Sequence, residues 1–288
     1  MNNRVKVLAI AIVIFIITGC TGQSQKLNEN DAYKESGASE PSAVNIVAVS
    51  TSGNGSSAPK TAKEKKSVEK RPLEGLTICI DAGHGITAKP LNKKEPLAPG
   101  SKIMKAAYAS GTSGVATKIT EEHLNLSVAK KLKKALSDNG AKIIMIRETS
   151  KCNLSNVDRA KLWNSSNADL TIRIHANGID DSKVSGVLMM IPGDKYIKDK
   201  NMLRKSAQAG QYILDGVLKQ TKAKSQGTVK STDLTGFNWS KIPVVLLEMG
   251  FMTNPQEDRL LNTDAYQNKM VTGIVQGLVQ YSKNVAVK

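Results

Sequence analysis

Cysteine is nearly absent from this chain, with three residues in 288 and one of them, Cys20, close to the amino terminus. Cys79 and Cys152 are too few and too far apart to build a cysteine zinc cluster or a disulfide framework. Cys79 alternates with Ile78 and Ile80 and reads as a small core residue. The apolar run from Val7 to Ile17 falls short of the roughly 20 residues that a membrane-spanning helix needs. Between Thr21 and Lys70 there is a single Tyr and no Phe or Trp. That excludes a packed core, and the Ser-, Gly-, Asn-, Lys- and Glu-rich composition reads as a flexible tether. Val44 to Val49 has the makings of a strand, but nothing near it in sequence would cover it. Histidine is scarce as well, at three residues, and no internal repeat is visible.

Arg4 and Lys6 precede the apolar run, and Thr18, Gly19 and Cys20 follow it, the layout of a signal peptide. The tetrapeptide Ile17-Thr18-Gly19-Cys20 resembles a bacterial lipobox, in which the chain is cut before the cysteine and the thiol is acylated. An ordinary secretory signal or an uncleaved anchor is the alternative. The sequence thus predicts a signal peptide over 1–19, a tether over 20–70 and a single folded domain over 71–288. A lipid on Cys20 would hold that domain at the extracytoplasmic face of a cell membrane. About +13 of the formal charge of +16 falls on residues 71–288. A basic surface outside the cytoplasm favours anionic wall polymers or lipid head groups. Nucleic acid is excluded as a partner by the compartment and by the dispersion of the charges. Lys130, Lys131, Lys133 and Lys134, for example, read as one solvated helix face.

Within the folded part, Leu76 to Asp81 is a short apolar run ending in Ala-Gly-His-Gly, a buried strand followed by a glycine-rich loop. Glu121 to Ser137 puts Leu124, Val128, Leu132, Ala135 and Leu136 on one side of a helix opened by Thr120 and closed around Asn139-Gly140. Strands are expected over Ala141–Arg147, Asp169–His175, Gly186–Pro192 and Pro243–Glu248, and helices over Asn156–Asn167, Asp199–Lys222, Pro255–Asn262 and Asp264–Tyr281. This alternation predicts a single α/β domain with a mainly parallel twisted sheet and helices on both faces. Lys89 to Ser113 has no period and reads as a long insertion that borders the site and moves more than the sheet.

His84 follows the first of these strands at once, His175 ends the third and Glu248 ends PVVLLE. The carboxyl ends of parallel strands gather at one sheet edge, so the three side chains should converge there. Within DLTIRIH, period-two alternation sends Thr171, Arg173 and His175 to one side. Glu121 opens the first helix beside the same edge. Two imidazoles and one carboxylate make a ligand set typical of catalytic zinc, and a second carboxylate can act as base. Simpler roles exist for each residue: a turn hydrogen bond for the histidines, a helix-start carboxylate for Glu121. Glu248 fits such a role least, because a carboxylate in a buried run is costly without a partner. His123 reads as a helix-surface residue.

The segments ICIDAGHG, TEEHLNLSVAKKL, TIRIHANG and PVVLLEMGFMTNPQEDRLL together resemble the four landmark stretches of the zinc-dependent N-acetylmuramoyl-L-alanine amidases of bacterial cell walls. They stand in the family's order across Leu76 to Tyr281. The resemblance implies one zinc ion per chain held by His84, Glu121 and His175, with Glu248 as the catalytic carboxylate. Glu121 rather than Glu122 takes the ligand role because it stands five residues before Leu126, the family's E-x-x-L-x-L spacing. The implied substrate is peptidoglycan, cut between N-acetylmuramic acid and L-alanine, with room for a protein activator. Arg173 is then a candidate to hold a stem-peptide carboxylate or the oxyanion, a salt bridge being the other role open to it. Two departures stand out: Ala82 where proline is common, and the length of the insertion. Rival functions are a zinc peptidase acting within the stem peptide, a wall-binding lipoprotein without activity and a ligand-binding lipoprotein for uptake. The survival of all four polar site residues argues against the second, and the short folded part against the third.

Overall fold

The computed structural model describes residues 71–285, so the signal, lipobox and tether expectations lie outside the described residues. In chain order the elements are β1 (Thr77–Ala82), β2 (Lys94–Pro96), β3 (Met104–Ala106), α1 (Glu121–Asp138), β4 (Lys142–Met145), α2 (Asn156–Ser165), β5 (Leu170–Asn177), β6 (Val187–Pro192), α3 (Lys200–Thr221), β7 (Ser225–Ser231), α4 (Thr235–Asn238), β8 (Val244–Phe251), α5 (Pro255–Leu261) and α6 (Asp264–Asn284). Six strands form one sheet in the order β4-β1-β5-β8-β6-β7. β4, β1, β5 and β8 are parallel, whereas β6 runs antiparallel to β8 and pairs with β7 in parallel. The mainly parallel α/β architecture is therefore as expected. The reversal at β6 leaves no mark in the sequence, since a buried apolar run looks the same in either direction.

Alternation along the strands divides the sheet into two faces. Ile78, Ile80, Ile172, Ile174, Val245 and Leu247 point into the main core, against Leu124, Val128 and Leu132 of α1, Ile213 and Val217 of α3, and Ile274 and Leu278 of α6. Full burial of one such leucine contributes about 1.5–3 kcal/mol. The opposite face carries Cys79 beneath Ala160 and Trp163 of α2, and Val244 and Leu246 beneath Phe237 of α4. It also carries Asp81, Thr171, Arg173, His175 and Glu248, an unusual concentration of polar groups for an inner sheet face. Cys79 and Cys152 are both buried, free thiols. None of the described helices is long and apolar enough to cross a membrane.

The insertion differs from its expected irregular form. β2 and β3 pair as an antiparallel hairpin, and Leu97, Ala98, Ala107 and Tyr108 are buried. Glu95 is buried too and receives the Val157 N–H at the start of α2, 3.2 Å from each carboxylate oxygen. The Pro96 carbonyl accepts from Trp239 Nε1 at 2.9 Å and the Leu97 carbonyl from Asn238 Nδ2 at 3.2 Å. These anchors lie more than 60 residues away along the chain, which is why a search for local period missed them. β7 was missed for a related reason. SQGTVKS is a polar, glycine-containing edge strand with almost no apolar signal.

Between the hairpin and α1 the chain is fixed by Asp258 of α5. Its fully buried carboxylate accepts from the main-chain N–H groups of Ala116 and Thr117 and from the Thr117 hydroxyl, each at 2.7 Å. Asp258→Ala would leave these donors without a partner and should lower stability by about 2–4 kcal/mol. The midpoint of urea unfolding measures this, and a loss within experimental error would show that the loop is held by something else.

Candidate metal site and base

The site lies where the parallel strands end. Past β1 the Gly83 N–H still donates to the Ile174 carbonyl at 2.9 Å, so the chain continues briefly alongside β5. Glycine is needed at that point because the His175 imidazole lies over it. A Cβ on Gly83 would stand 2.3 Å from His175 Cε1. His84 then turns away in a left-handed conformation, φ 59°. Glu121 reaches the same point from the first turn of α1. The Thr120 hydroxyl donates to Glu122 at 3.0 Å instead of being engaged by the helix backbone, so Thr120 opens α1 without a side-chain cap.

His84, Glu121 and His175 offer one ligand atom each within 4.8 Å of one another, a group able to hold a metal ion. Glu121 Oε1 lies 3.1 Å from His84 Nε2 and 3.1 Å from His175 Nδ1. The same oxygen accepts the Ala176 N–H and Asn125 Nδ2, both at 3.1 Å, and Oε2 accepts the Thr112 N–H at 3.0 Å. His84 Nδ1 lies 2.8 Å from the Ala109 carbonyl, which can only accept, so Nδ1 carries the proton. Nε2 of a neutral His84 is then a lone pair facing a carboxylate oxygen. Two acceptors at 3.1 Å need a proton or a cation between them. His175 Nε2 is buried with no partner among the described residues. Two imidazoles and the carboxylate between them, each able to offer a lone pair to an ion, fit a divalent cation of zinc's ligand preference. His123 is exposed on α1 and does not belong to the group.

The charges are set by burial and by these contacts. Burial works to raise the Glu121 carboxyl, but His84 and His175 together hold it well below the usual range. Burial pushes His175 down to about 4, so its imidazole is neutral near pH 7. Glu248 stands directly across from His175 in the β5–β8 register and therefore on the same face. Its Oε2 is enclosed and has no hydrogen-bond partner among the described residues. Burial, reinforced by the negative charge of Glu121, raises it well above the ordinary carboxylate value, with Arg173 opposing. A raised carboxylate with a free oxygen beside a metal-capable group has the properties of a proton acceptor and donor.

Of the two roles open to Arg173, the structure contains the salt bridge. Arg173 Nε donates to Asp81 Oδ2 at 2.9 Å, and the guanidinium stacks over Trp163 at 5.8 Å. Arg173 also borders, with His84 and His175, a cavity of about 40 Å³ that Tyr108 and Ala109 of the insertion close on one side. The insertion thus borders the site as expected, but as a packed wall. Sequence reading missed Asp81 and Asn125. Asp81 carried the same signal as Glu248, a carboxylate in a buried run; Asn125, one turn after Glu121, carried none beyond its place on a helix face.

The family model described as N-acetylmuramoyl-L-alanine amidase matches residues 78–280, which include every residue of this site. The chain belongs to that family. Among its amidase relatives, the probable cell wall amidase LytH of Staphylococcus epidermidis is 28% identical over 216 residues, covering 75% of this chain and 62% of its own length. This chain therefore matches about three-fifths of that relative. The germination-specific N-acetylmuramoyl-L-alanine amidase of Bacillus subtilis is 28% identical over 225 residues, 73% of this chain and 81% of that one. The crystal structure of N-acetylmuramoyl-L-alanine amidase from Clostridium difficile 630 is similar with a TM-score of 0.60 at 26% identity, covering 73% of this chain and 98% of that chain.

The close approach of Gly83 and His175 makes a test of this amidase-family site. Gly83→Ala should displace the imidazole, cost about 1–3 kcal/mol through overpacking and lower the metal bound per chain, measured by elemental analysis. Full metal content in a folded Gly83→Ala protein would mean that His175 is not a ligand.

Proposed function

We propose that this chain is a zinc-dependent amidase that hydrolyses the bond between N-acetylmuramic acid and the L-alanine of the peptidoglycan stem peptide. The observation that carries the reading is the convergence of two imidazoles on one buried carboxylate oxygen, with a second carboxylate opposite His175. Membership of the amidase family supports the bond cleaved. His84, Glu121 and His175 would hold one zinc ion per chain. Zinc in such a site supplies Lewis acidity, which activates water and polarises a carbonyl oxygen.

The remaining work falls to the chain's own groups. Glu248 takes a proton from the attacking water as the oxygen bonds to the lactyl carbonyl carbon. The carbon–nitrogen bond then breaks, and Glu248 returns the proton to the departing alanine nitrogen, so the carboxylate ends as it began. Burial raises its proton affinity, which suits the second half of that cycle. Arg173 borders the cavity and would face a stem-peptide carboxylate or the developing oxyanion. The Tyr108–Ala109 wall would exclude water from one side.

The lipobox-like segment supports a chain anchored through Cys20 on the extracytoplasmic face of the membrane, facing the wall. Its basic composition suits contact with anionic wall polymers. Cys20→Ala should move the protein from the membrane fraction to the medium or leave it unprocessed. Unchanged fractionation and an unchanged mass of the mature amino terminus would contradict the anchor.

The two glutamates separate the roles proposed for them. Glu121→Ala should lose zinc, activity and some stability, because metal binding is coupled to folding. Glu248→Gln keeps size and shape but cannot take a proton. It should retain zinc and lose about 100-fold to 10,000-fold in amide cleavage. Zinc per chain, read beside the new ends produced in purified peptidoglycan by mass spectrometry, decides the matter. An active, zinc-replete Glu248→Gln would remove Glu248 from the chemistry, and ends formed within the stem peptide would make the enzyme a peptidase.

A further inference from the structure

The backbone that carries His84 has an unusual problem. Once β1 ends, the carbonyls of Ala82, Gly83 and His84 have no full strand ladder to take them up, and buried carbonyls must be paired. The same stretch is held in a left-handed turn at His84, which costs an ordinary residue of order 1–2 kcal/mol.

Two arginines from other elements meet both demands. Arg147, just past β4, donates through Nε to the Ala82 carbonyl at 2.8 Å and through Nη2 to the Gly83 carbonyl at 2.8 Å. Arg159 of α2 donates through Nη1 to the Ala82 carbonyl at 3.2 Å and through Nη2 to the His84 carbonyl. Three successive carbonyls are thereby held by two rigid guanidinium forks, and each arginine is only 5% exposed. Arg147 does one thing more. Its Nη2 also donates to the Glu122 carbonyl at 2.7 Å, in the turn of α1 that carries Glu121. One planar side chain thus ties the segment bearing His84 to the segment bearing Glu121.

The charge of the two forks is met differently. Asp81, fully buried, pairs with Arg159 and compensates it. Arg147 has no carboxylate within ion-pair distance among the described residues, and its bonds are to main-chain carbonyls.

We infer that Arg147 and Arg159 are positioning residues of the metal centre: they set where His84 stands relative to Glu121, and they act on the metal only through His84. The inference rests on the zinc reading above and adds to it two residues outside the ligand set, of which Arg159 also borders the cavity. Lysine cannot replace either one, because a single ammonium lacks the fixed fork that spans two carbonyls.

The test uses the full-length chain carrying Arg147→Lys or Arg159→Lys, with zinc affinity measured by competition against a chromophoric chelator. Loss of an outer partner of a metal ligand commonly weakens binding about 10-fold to 100-fold, and that range is expected for each variant. The visible absorption of the cobalt(II)-substituted protein should change in shape, while metal-free circular dichroism shows an intact fold. In a His84→Ala background the same arginine substitutions should have no further effect on the residual affinity. The inference is overturned by unchanged affinity and an unchanged cobalt spectrum in both variants. Equal losses with and without His84, or failure of both lysine variants to fold without metal, overturn it as well, since the arginines would then serve the fold alone. A wild-type chain that takes up neither zinc nor cobalt would bring down the zinc reading and the inference together, whereas normal wild-type uptake beside unaffected variants brings down the inference only.

Discussion

Burying a carboxylate is tolerable only when its oxygens are taken up by donors or by a cation, and Glu121 is met by groups from four parts of the chain. Thr112 ends the insertion, Ala176 and His175 belong to β5, His84 follows β1, and Asn125 lies one turn along α1. Each of these segments is placed by its own packing, yet all five groups have to arrive within reach of one side chain. The insertion is therefore bound to the metal-capable group by a main-chain contact, and its hairpin, its buried Glu95 and its contacts with α4 serve the same arrangement. The glycines show how little room is left. Gly111 sits at φ 77°, and a Cβ there would meet Glu121 Oε2 at 2.8 Å and His84 Cδ2 at 2.9 Å. A side chain in the loop would push into the very group the loop helps to hold.

What was legible in the sequence follows from what each signal depends on. The convergence of His84, His175 and Glu248 was legible because strand ends in a parallel sheet share an edge, and that of Glu121 because it opens a helix beside that edge. The alternation in DLTIRIH placed Arg173 on the face of His175, as the structure has it, since period two is a local property of an extended chain. The hairpin within the insertion was illegible for the opposite reason. Its strands are three residues each, and what stabilises them are Val157, Asn238 and Trp239, far away in sequence. The arginines of the clamp bond to carbonyls, which every residue possesses, so no side-chain pattern pointed to them. The family resemblance supplied the division of roles between Glu121 and Glu248, which placement alone left open.

Asp81 and Glu248 show how one sheet face gives two carboxylates opposite tasks. Both interrupt apolar strands and both point to the same side, with Asp81 across from Arg173 and Glu248 across from His175 in the strand registers. Burial acts to raise each of them. For Asp81 the guanidinium groups of Arg159 and Arg173 overcome burial and hold the carboxyl well below its ordinary value. It stays an anion, exchanges no proton near neutral pH and works as a fixed counter-ion. Glu248 has no such partner: the nearer influences are burial and the negative Glu121, and only Arg173, already engaged by Asp81, pulls the other way. Its proton affinity is therefore raised, the opposite of what happens to Asp81. Environments that push two neighbouring carboxylates apart in this way separate a structural anion from a proton-transferring one. Arg173 links them, since the bond it gives to Asp81 limits the charge it can lend to Glu248. A stronger hold by Asp81 leaves Glu248 the better proton carrier.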